Sequence, residues 1–477
     1  MDNTFAMSDE GIPSNNVSPG QMEEFSAAWT LQIREDLSPA PAEFSQTMPM
    51  PKGVNSFACE KIMKLARAQF VQAYANGGFY NAAQFAITAL PREEHDGLHL
   101  AHLLLLSAEM IGNQQFDHAT RLVRQCKNFS SQVGNPMQRL GYYVSDVLEE
   151  RIEREGEAKG ELSKPPKPVP DFAFNIDTNS EECDFYNLVA FYTRHLPYIT
   201  VMQFILTQAV IDTVGSANKI HVIDLGMRTG SQWTILIQFL AERADASLEL
   251  LTITAVGMNG EELKKSGRRL HEFAKSLAVP FAYKIVEISN MEEIHEGVFD
   301  IKSDEAVAVY SHLVLRSLLN DPILLDKLVI AIRKLRPRIM VNAELEGQQN
   351  SPSFLNRFME VLLYNSTYFD LLDVTFPDRS DIKRVKHEEI FVSPQIRNMI
   401  VCEGKDRRVR HVKTHVWRCF FKHAGFKELS FSFRAEYQAR LLVSQFPCGE
   451  WYTLEPNGFA IILGWQGTAL FALSAWS

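Results

Sequence analysis

A chain of 477 residues that is 46% hydrophobic is long enough to bury a large core, and a net charge of −10 with a pI of about 5.8 argues against a bulk electrostatic grip on nucleic acid, leaving room only for local basic patches. The six cysteines form no CxxC pair, which argues against a zinc finger or redox dithiol of that kind, and their scatter points to a reducing compartment. The N-terminal residues are acidic and polar, unlike a secretory leader, and no run of about 18 apolar residues is free of polar interruption, so no membrane span is expected.

Residues 1–52 hold eight acidic side chains against two basic ones, among Ser, Pro, Asn and Met. Such a segment buries little surface, and disorder is expected over 1–56. Within it Phe25, Trp29 and Ile33 recur every four residues, an apolar helical stripe that either packs on its own domain or folds on a partner. Residues 57–152 read as a series of amphipathic helices, with Pro136 just ahead of the last. A charged and proline-rich linker is predicted from Glu153 to Pro170, and helices resume from Phe185 to Val214.

From Ile220 the pattern changes. Strands are predicted at Ile220–Leu225, Leu250–Val256, Phe281–Val286, Ala306–Tyr310 and Arg338–Ala343, with helix-length segments between them. That alternation predicts a parallel α/β sheet. The end differs. Glu428–Phe433, Gly458–Trp465 and Ala469–Trp476 read as strands, the last two joined by Gln466-Gly467-Thr468, which predicts an antiparallel hairpin at a sheet edge.

The stretch Val222-Ile223-Asp224-Leu225-Gly226-Met227-Arg228-Thr229-Gly230 resembles the first motif of S-adenosylmethionine-dependent methyltransferases, a hydrophobic run before Asp-x-Gly-x-Gly-x-Gly. Glycines there let a backbone approach a cofactor. The cofactor-binding candidates are therefore Asp224, Gly226 and Gly230. Against that role, Arg228 replaces the central glycine, and no acid stands at the end of the next strand until Glu261. A structural turn is the expected reading, with no cofactor, no catalytic residue and no metal. His411 and His415 share an i, i+4 spacing, but no further ligand completes a metal motif. Three basic clusters stand out: Lys264, Lys265, Arg268 and Arg269; Arg333, Lys334, Arg336 and Arg338; and Lys405, Arg407, Arg408 and Arg410. The last is the densest and is the candidate for contact with DNA or an acidic partner. Solvated helix faces account for most such runs.

Many ordered motifs resemble one plant family, the GRAS proteins. Ile220-His221-Val222-Ile223-Asp224 with Gly230-Ser231-Gln232-Trp233 is similar to the family's Val-His-Ile-Ile-Asp motif. Leucine-rich signatures are echoed at Pro136-Met137-Gln138-Arg139-Leu140 and at Leu196-Pro197-Tyr198 with Gln208-Ala209. Asn350-Ser351-Pro352, Phe354-Leu355 and Tyr368-Phe369-Asp370 resemble the Pro-Phe-Tyr-Arg-Glu region, extended by Cys402-Glu403-Gly404. Leu463-Gly464-Trp465 and Ser474-Ala475-Trp476 resemble the terminal signature, while no Asp-Glu-Leu-Leu-Ala sequence occurs. The resemblance implies a Rossmann-like, methyltransferase-like α/β fold with a mostly parallel sheet and an α-helical cap. In that scheme 57–152 and 171–215 form the cap, 153–170 the linker and 216–477 the core. It further implies a nuclear regulator of transcription that is not an enzyme. Its partners would be other transcription regulators, including GRAS proteins as homo- or heterodimers, with DNA a further candidate. An S-adenosylmethionine-dependent binder or enzyme is the alternative reading.

Overall fold

The computed structural model describes residues 58–75, 91–157, 185–243, 247–446 and 448–477. The apolar stripe of Phe25, Trp29 and Ile33 lies outside them. The first described helices are α1 (Cys59–Ala75), α2 (Arg92–Gly112), α3 (Phe116–Phe129) and α4 (Pro136–Glu157). They form the helical cap, sharing a core through buried Phe70, Leu104, Val123 and Leu148. Pro136 is the first residue of α4, where its missing N–H costs nothing. The helix does not stop at Glu153, where the linker was predicted, but runs to Glu157. The charges there are bonded rather than solvated: Arg151 pairs with Glu155 at 2.5 Å one turn on, and Arg154 donates to the Val401 carbonyl.

After α5 (Phe185–His195) and α6 (Pro197–Val214), the chain enters a sheet ordered β3-β2-β1-β4-β5-β9-β8-β7. Strands β1 (Lys219–Asp224), β2 (Leu250–Gly257), β3 (Phe281–Glu287), β4 (Ala306–His312) and β5 (Ile339–Leu345) are parallel. Val222 of β1 lies between Ile253 of β2 and Ala308 of β4, all fully buried. A strand covered on both faces must be continuously apolar, which is why β1 is legible in the sequence. Helices α7 (Trp233–Ala241), α8 (Gly260–Ser276) and α9 (Pro322–Lys334) connect these strands. Asp321 caps α9 by accepting from the Leu324 N–H at 3.1 Å. The helix-length segment between β4 and β5 thus divides into a 3₁₀ turn, Leu315–Leu318, and α9.

Helix α10 (Phe354–Thr375) follows β5 and packs on α1, α2 and α4, fastening the cap to the sheet layer. Asp370 of α10 accepts from the Cys59 and Glu60 N–H groups at 2.8 and 2.9 Å, so one helix caps the start of another across the fold. Then come α11 (Ile382–His387), a π-helical turn (Glu388–Val392), α12 (Ser393–Ile400) and α13 (Thr414–His423). Arg139 and Arg384, fully buried, both donate to Glu388 Oε1, at 3.0 and 2.7 Å.

The C-terminal segment corrects two expectations. The strand predicted over Glu428–Phe433 is only β6 (Glu428–Leu429), and Phe433–Ser444 is helix α14, capped by Ser432. The expected edge hairpin is instead part of a three-strand antiparallel extension: β7 (Tyr452–Asn457), β8 (Ala460–Trp465) and β9 (Thr468–Trp476). β9 is interior, pairing with β5 on one side and β8 on the other, and it also carries β6. The β8–β9 turn has Gln466 at φ 48° and Gly467 at φ 84°, the left-handed pair that a tight hairpin requires. The outer strand β7 carries Pro456, tolerated because it is at an edge. No described helix is long and apolar enough to cross a membrane.

Candidate functional site

In an open parallel sheet, ligands bind beyond the carboxyl ends of the strands, where the chain turns into helices. Asp224 ends β1 there and is 1% exposed. Its Oδ1 accepts from the Gly226 N–H at 3.2 Å, and its Oδ2 accepts from Gln232 Nε2 and Trp233 Nε1, both at 2.9 Å. Burial pushes its pKa up to about 6, with the three donors pulling the other way. The carboxylate is therefore committed to its own turn. The glycines serve the same turn. A Cβ on Gly226 would meet Val314 Cγ2 at 2.4 Å. Gly230, at φ 70°, would bring one within 3.0 Å of Leu270 Cδ1. Close approach is needed here, but to the protein's own Val314 and Leu270.

Beside this turn a polar cluster fills the crevice between β1, β4 and β5. Burial, and then Arg316, lower the Arg228 pKa to about 10 despite the fields of Asp224 and Glu344. Glu344, 1% exposed, is pushed up to about 7 by burial, and its Oε1 accepts from the Arg316 N–H at 3.2 Å. Burial and the two arginines hold His312 neutral, at about 3. Tyr310 Oη, His312 Nε2 and Glu344 Oε2 have no hydrogen-bond partner. Ser311 Oγ also lacks a partner.

The same end of the sheet continues past β5. The turn after β5 and the loop 404–412 meet in a parallel bridge between Glu346 and Val412. This brings the densest basic cluster to the crevice, but not as a surface. Lys405 and Arg408 are exposed, whereas Arg407 is 4% exposed. Arg407 Nη2 and Arg410 Nη1 donate to the same oxygen, Asn350 Oδ1, at 3.3 and 2.8 Å. Arg410 Nη2 also donates to the Gly404 carbonyl at 2.8 Å. Burial lowers the Arg407 pKa to about 9, reinforced by Arg357 and Arg410. Glu403 lies among them, bonded to Arg357 and, at 2.9 Å, to Arg151. Burial raises the Glu403 carboxyl, but these guanidiniums outweigh it and hold it below the usual range. The sequence reading missed Arg357, Ser351 and Glu403 as members of this group. One signal was present: Arg357 stands between Phe354 and Val361, apolar residues at helical spacing on either side of it.

The other basic clusters are solvated or tied down. Lys264 and Lys265 pair with Glu261 and Glu262 one turn back on α8, at 2.8 and 2.6 Å. Arg333 donates to the Gly425 carbonyl at 3.2 Å and lies over the Phe426 ring. His411 is buried, with Nδ1 2.7 Å from Gln349 Oε1. Among the described residues no group of three side chains is placed to hold a metal ion. One surface stands apart: Phe433, Tyr437 and Leu441 of α14 are 84%, 55% and 47% exposed at four-residue spacing, and the Phe433 and Tyr437 rings stack. An apolar helical stripe open to solvent suits a macromolecular contact.

Residues 100–477 match the model of the GRAS domain family. Curated relatives include DELLA protein RGL1 of Arabidopsis thaliana, 32% identical over 384 residues, covering 80% of this chain and 70% of the relative. DELLA protein GAI1 of Vitis vinifera is 29% identical over 387 residues, covering 80% of this chain and 62% of the relative. Among solved structures, SCL7 of Oryza sativa superposes with a TM-score of 0.67 at 26% identity, covering 79% of this chain and 99% of that one.

Proposed function

The chain belongs to the GRAS domain family, and on that premise we propose that it is a nuclear regulator of plant transcription that acts mainly through protein–protein contact. The family match over residues 100–477 carries this reading. Other regulators, GRAS proteins among them, are its partners. The exposed stripe of Phe433, Tyr437 and Leu441 supports a docking role. Direct contact with DNA would fall to Lys405 and Arg408, since Arg407 and Arg410 spend donors inside the protein. The fold is methyltransferase-like, but the filled glycine loop speaks against the alternative of an S-adenosylmethionine-dependent enzyme. Val314 and Leu270 pack closely against Gly226 and Gly230, and Asp224 is held by three donors of its own turn.

A fluorescently tagged full chain, expressed in plant cells with a reporter library, tests the proposal. Nuclear accumulation and a changed reporter output are expected. Exclusion from the nucleus together with silence on every reporter would overturn it.

A further inference from the structure

The region between the β5–α10 turn and the 404–412 loop holds more positive charge than it neutralises. Arg151, Arg357, Arg407 and Arg410 gather there, and the carboxylates paired with them are Glu403 and Glu155. Arg357 uses its donors on the Met399 carbonyl, the Ser351 carbonyl and Glu403. Arg407 bonds only through Nη2, to Asn350: its Nε and Nη1 are buried without a hydrogen-bond partner, as are Arg410 Nε and Ser351 Oγ. Leaving buried guanidinium donors unpaired is costly. Arg407 and Arg410 meet at Asn350 Oδ1, and Ser351 is the next residue in the chain; three unpaired guanidinium nitrogens and a hydroxyl on these neighbours suit an anion with several oxygens and more than one charge.

We propose that Arg407, Arg410 and Ser351 form a binding site for a phosphomonoester. A carboxylate offers fewer oxygens than the four unpaired atoms. A phosphodiester of duplex DNA carries a single charge on a broad backbone, whereas Arg407 is recessed at 4% exposure. A phosphate at the tip of a side chain or small molecule reaches deeper. Glu403, whose side chain is 48% exposed, now supplies the negative charge and turns outward to water when the phosphate enters. Lys405 and Arg408, exposed on the same loop, draw the anion in. This site does not depend on the regulatory role proposed above.

The test titrates the full chain, at constant ionic strength, with inorganic phosphate, O-phosphoserine, and a phosphoserine peptide beside its unphosphorylated form. Sodium chloride and a random-sequence DNA duplex serve as comparators. Calorimetry and thermal unfolding are the readouts. Inorganic phosphate is expected to bind saturably in the millimolar range while chloride does nothing. Arg407→Gln weakens binding at least about tenfold, as expected for loss of a charged hydrogen-bond donor. Ser351→Ala, which removes one unpaired hydroxyl, weakens it roughly fivefold, and Glu403→Gln strengthens it by removing the competing carboxylate. These two variants decide the matter even where Arg407→Gln fails to fold. Tighter binding of the phosphopeptide than of phosphate and phosphoserine assigns the source to a partner protein, and equal binding assigns it to a small phosphorylated molecule. The site is refuted by a wild-type response no larger than that to chloride, or by Ser351→Ala and Glu403→Gln both binding as wild type. It is also refuted by displacement of phosphate by duplex DNA with a steep salt dependence.

Discussion

Replacing Asp224 with alanine separates a loop that holds a fold from one that holds a ligand. The substitution strands three donors, the Gly226 N–H, Gln232 Nε2 and Trp233 Nε1, now bonded at 3.2, 2.9 and 2.9 Å. A buried donor left unpaired costs about 1–3 kcal/mol. Relief of a buried charge offsets part of this. The carboxyl moves from 3.8 in the unfolded chain to about 6 in the fold, which at about 1.4 kcal/mol per unit disfavours the folded state by roughly 3 kcal/mol at neutral pH. The net expectation at pH 7 is a loss of about 3 kcal/mol. The pH dependence has a definite sign. Between pH 4 and 6 the folded state keeps a proton that the unfolded state has lost, so the group's contribution to stability falls as pH rises. The alanine penalty is therefore larger at pH 4.5 than at pH 7. Urea unfolding followed by far-ultraviolet circular dichroism, for wild type and variant at both pH values, measures it. An alanine variant within about 1 kcal/mol of wild type at both pH values would refute the structural account of the turn. Adding millimolar S-adenosylmethionine to the wild type should leave the midpoint unmoved, since a cofactor at 100 times its Kd would add about 2.7 kcal/mol.

Glu388→Gln removes the shared carboxylate of Arg139 and Arg384, both fully buried, and should cost about 3–5 kcal/mol in chemical denaturation. Asp370→Asn keeps the shape of the α1 cap but not its titration. Burial raises Asp370 to about 7, so the cost of the asparagine should shrink as pH rises from 4 to 7, by about 1.4 kcal/mol per unit of the shift. The difference between variant and wild type is the readout, because buried His312 and His387, lowered to about 3, lose stability in the opposite direction as pH falls below 6.5. Tyr437→Glu, on the exposed stripe of α14, should leave the unfolding midpoint within about 0.5 kcal/mol of wild type while reducing capture of regulator partners from nuclear extract.

What could be read from the sequence depended on how local its cause was. β1 was legible because double burial demands an unbroken apolar run, and the β8–β9 turn because Gln466-Gly467 matches the left-handed geometry it adopts. The methyltransferase-like loop was visible, and so was the obstacle of Arg228. That Val314 and Leu270 fill the loop was not, since each comes from a distant element. Helix α14 was missed because its exposed aromatic residues mimic a strand's composition, though Ser432 three residues before Ala435 is a cap signal. The densest basic cluster reads as surface in the sequence, yet Arg407 is drawn inside by Asn350, 57 residues earlier. Glu388 answers Arg139 across 249 residues. Pairings at that range leave no periodicity to find.

The position of β9 bears on how the protein is made. Of the described strands it is the last in chain order to leave the ribosome, yet it occupies the interior of the sheet, between β5 and β8. Until it emerges, the nascent chain presents the open edge of β5, a template for mispairing with another chain. The parallel half and the antiparallel extension cannot join before that moment, so their union follows the synthesis of β9. A nonsense codon anywhere upstream of Thr468 removes the strand that unites them. Truncated products are then substrates for chaperones and proteases rather than partial regulators, and such alleles should behave as nulls even when every residue of the crevice is retained.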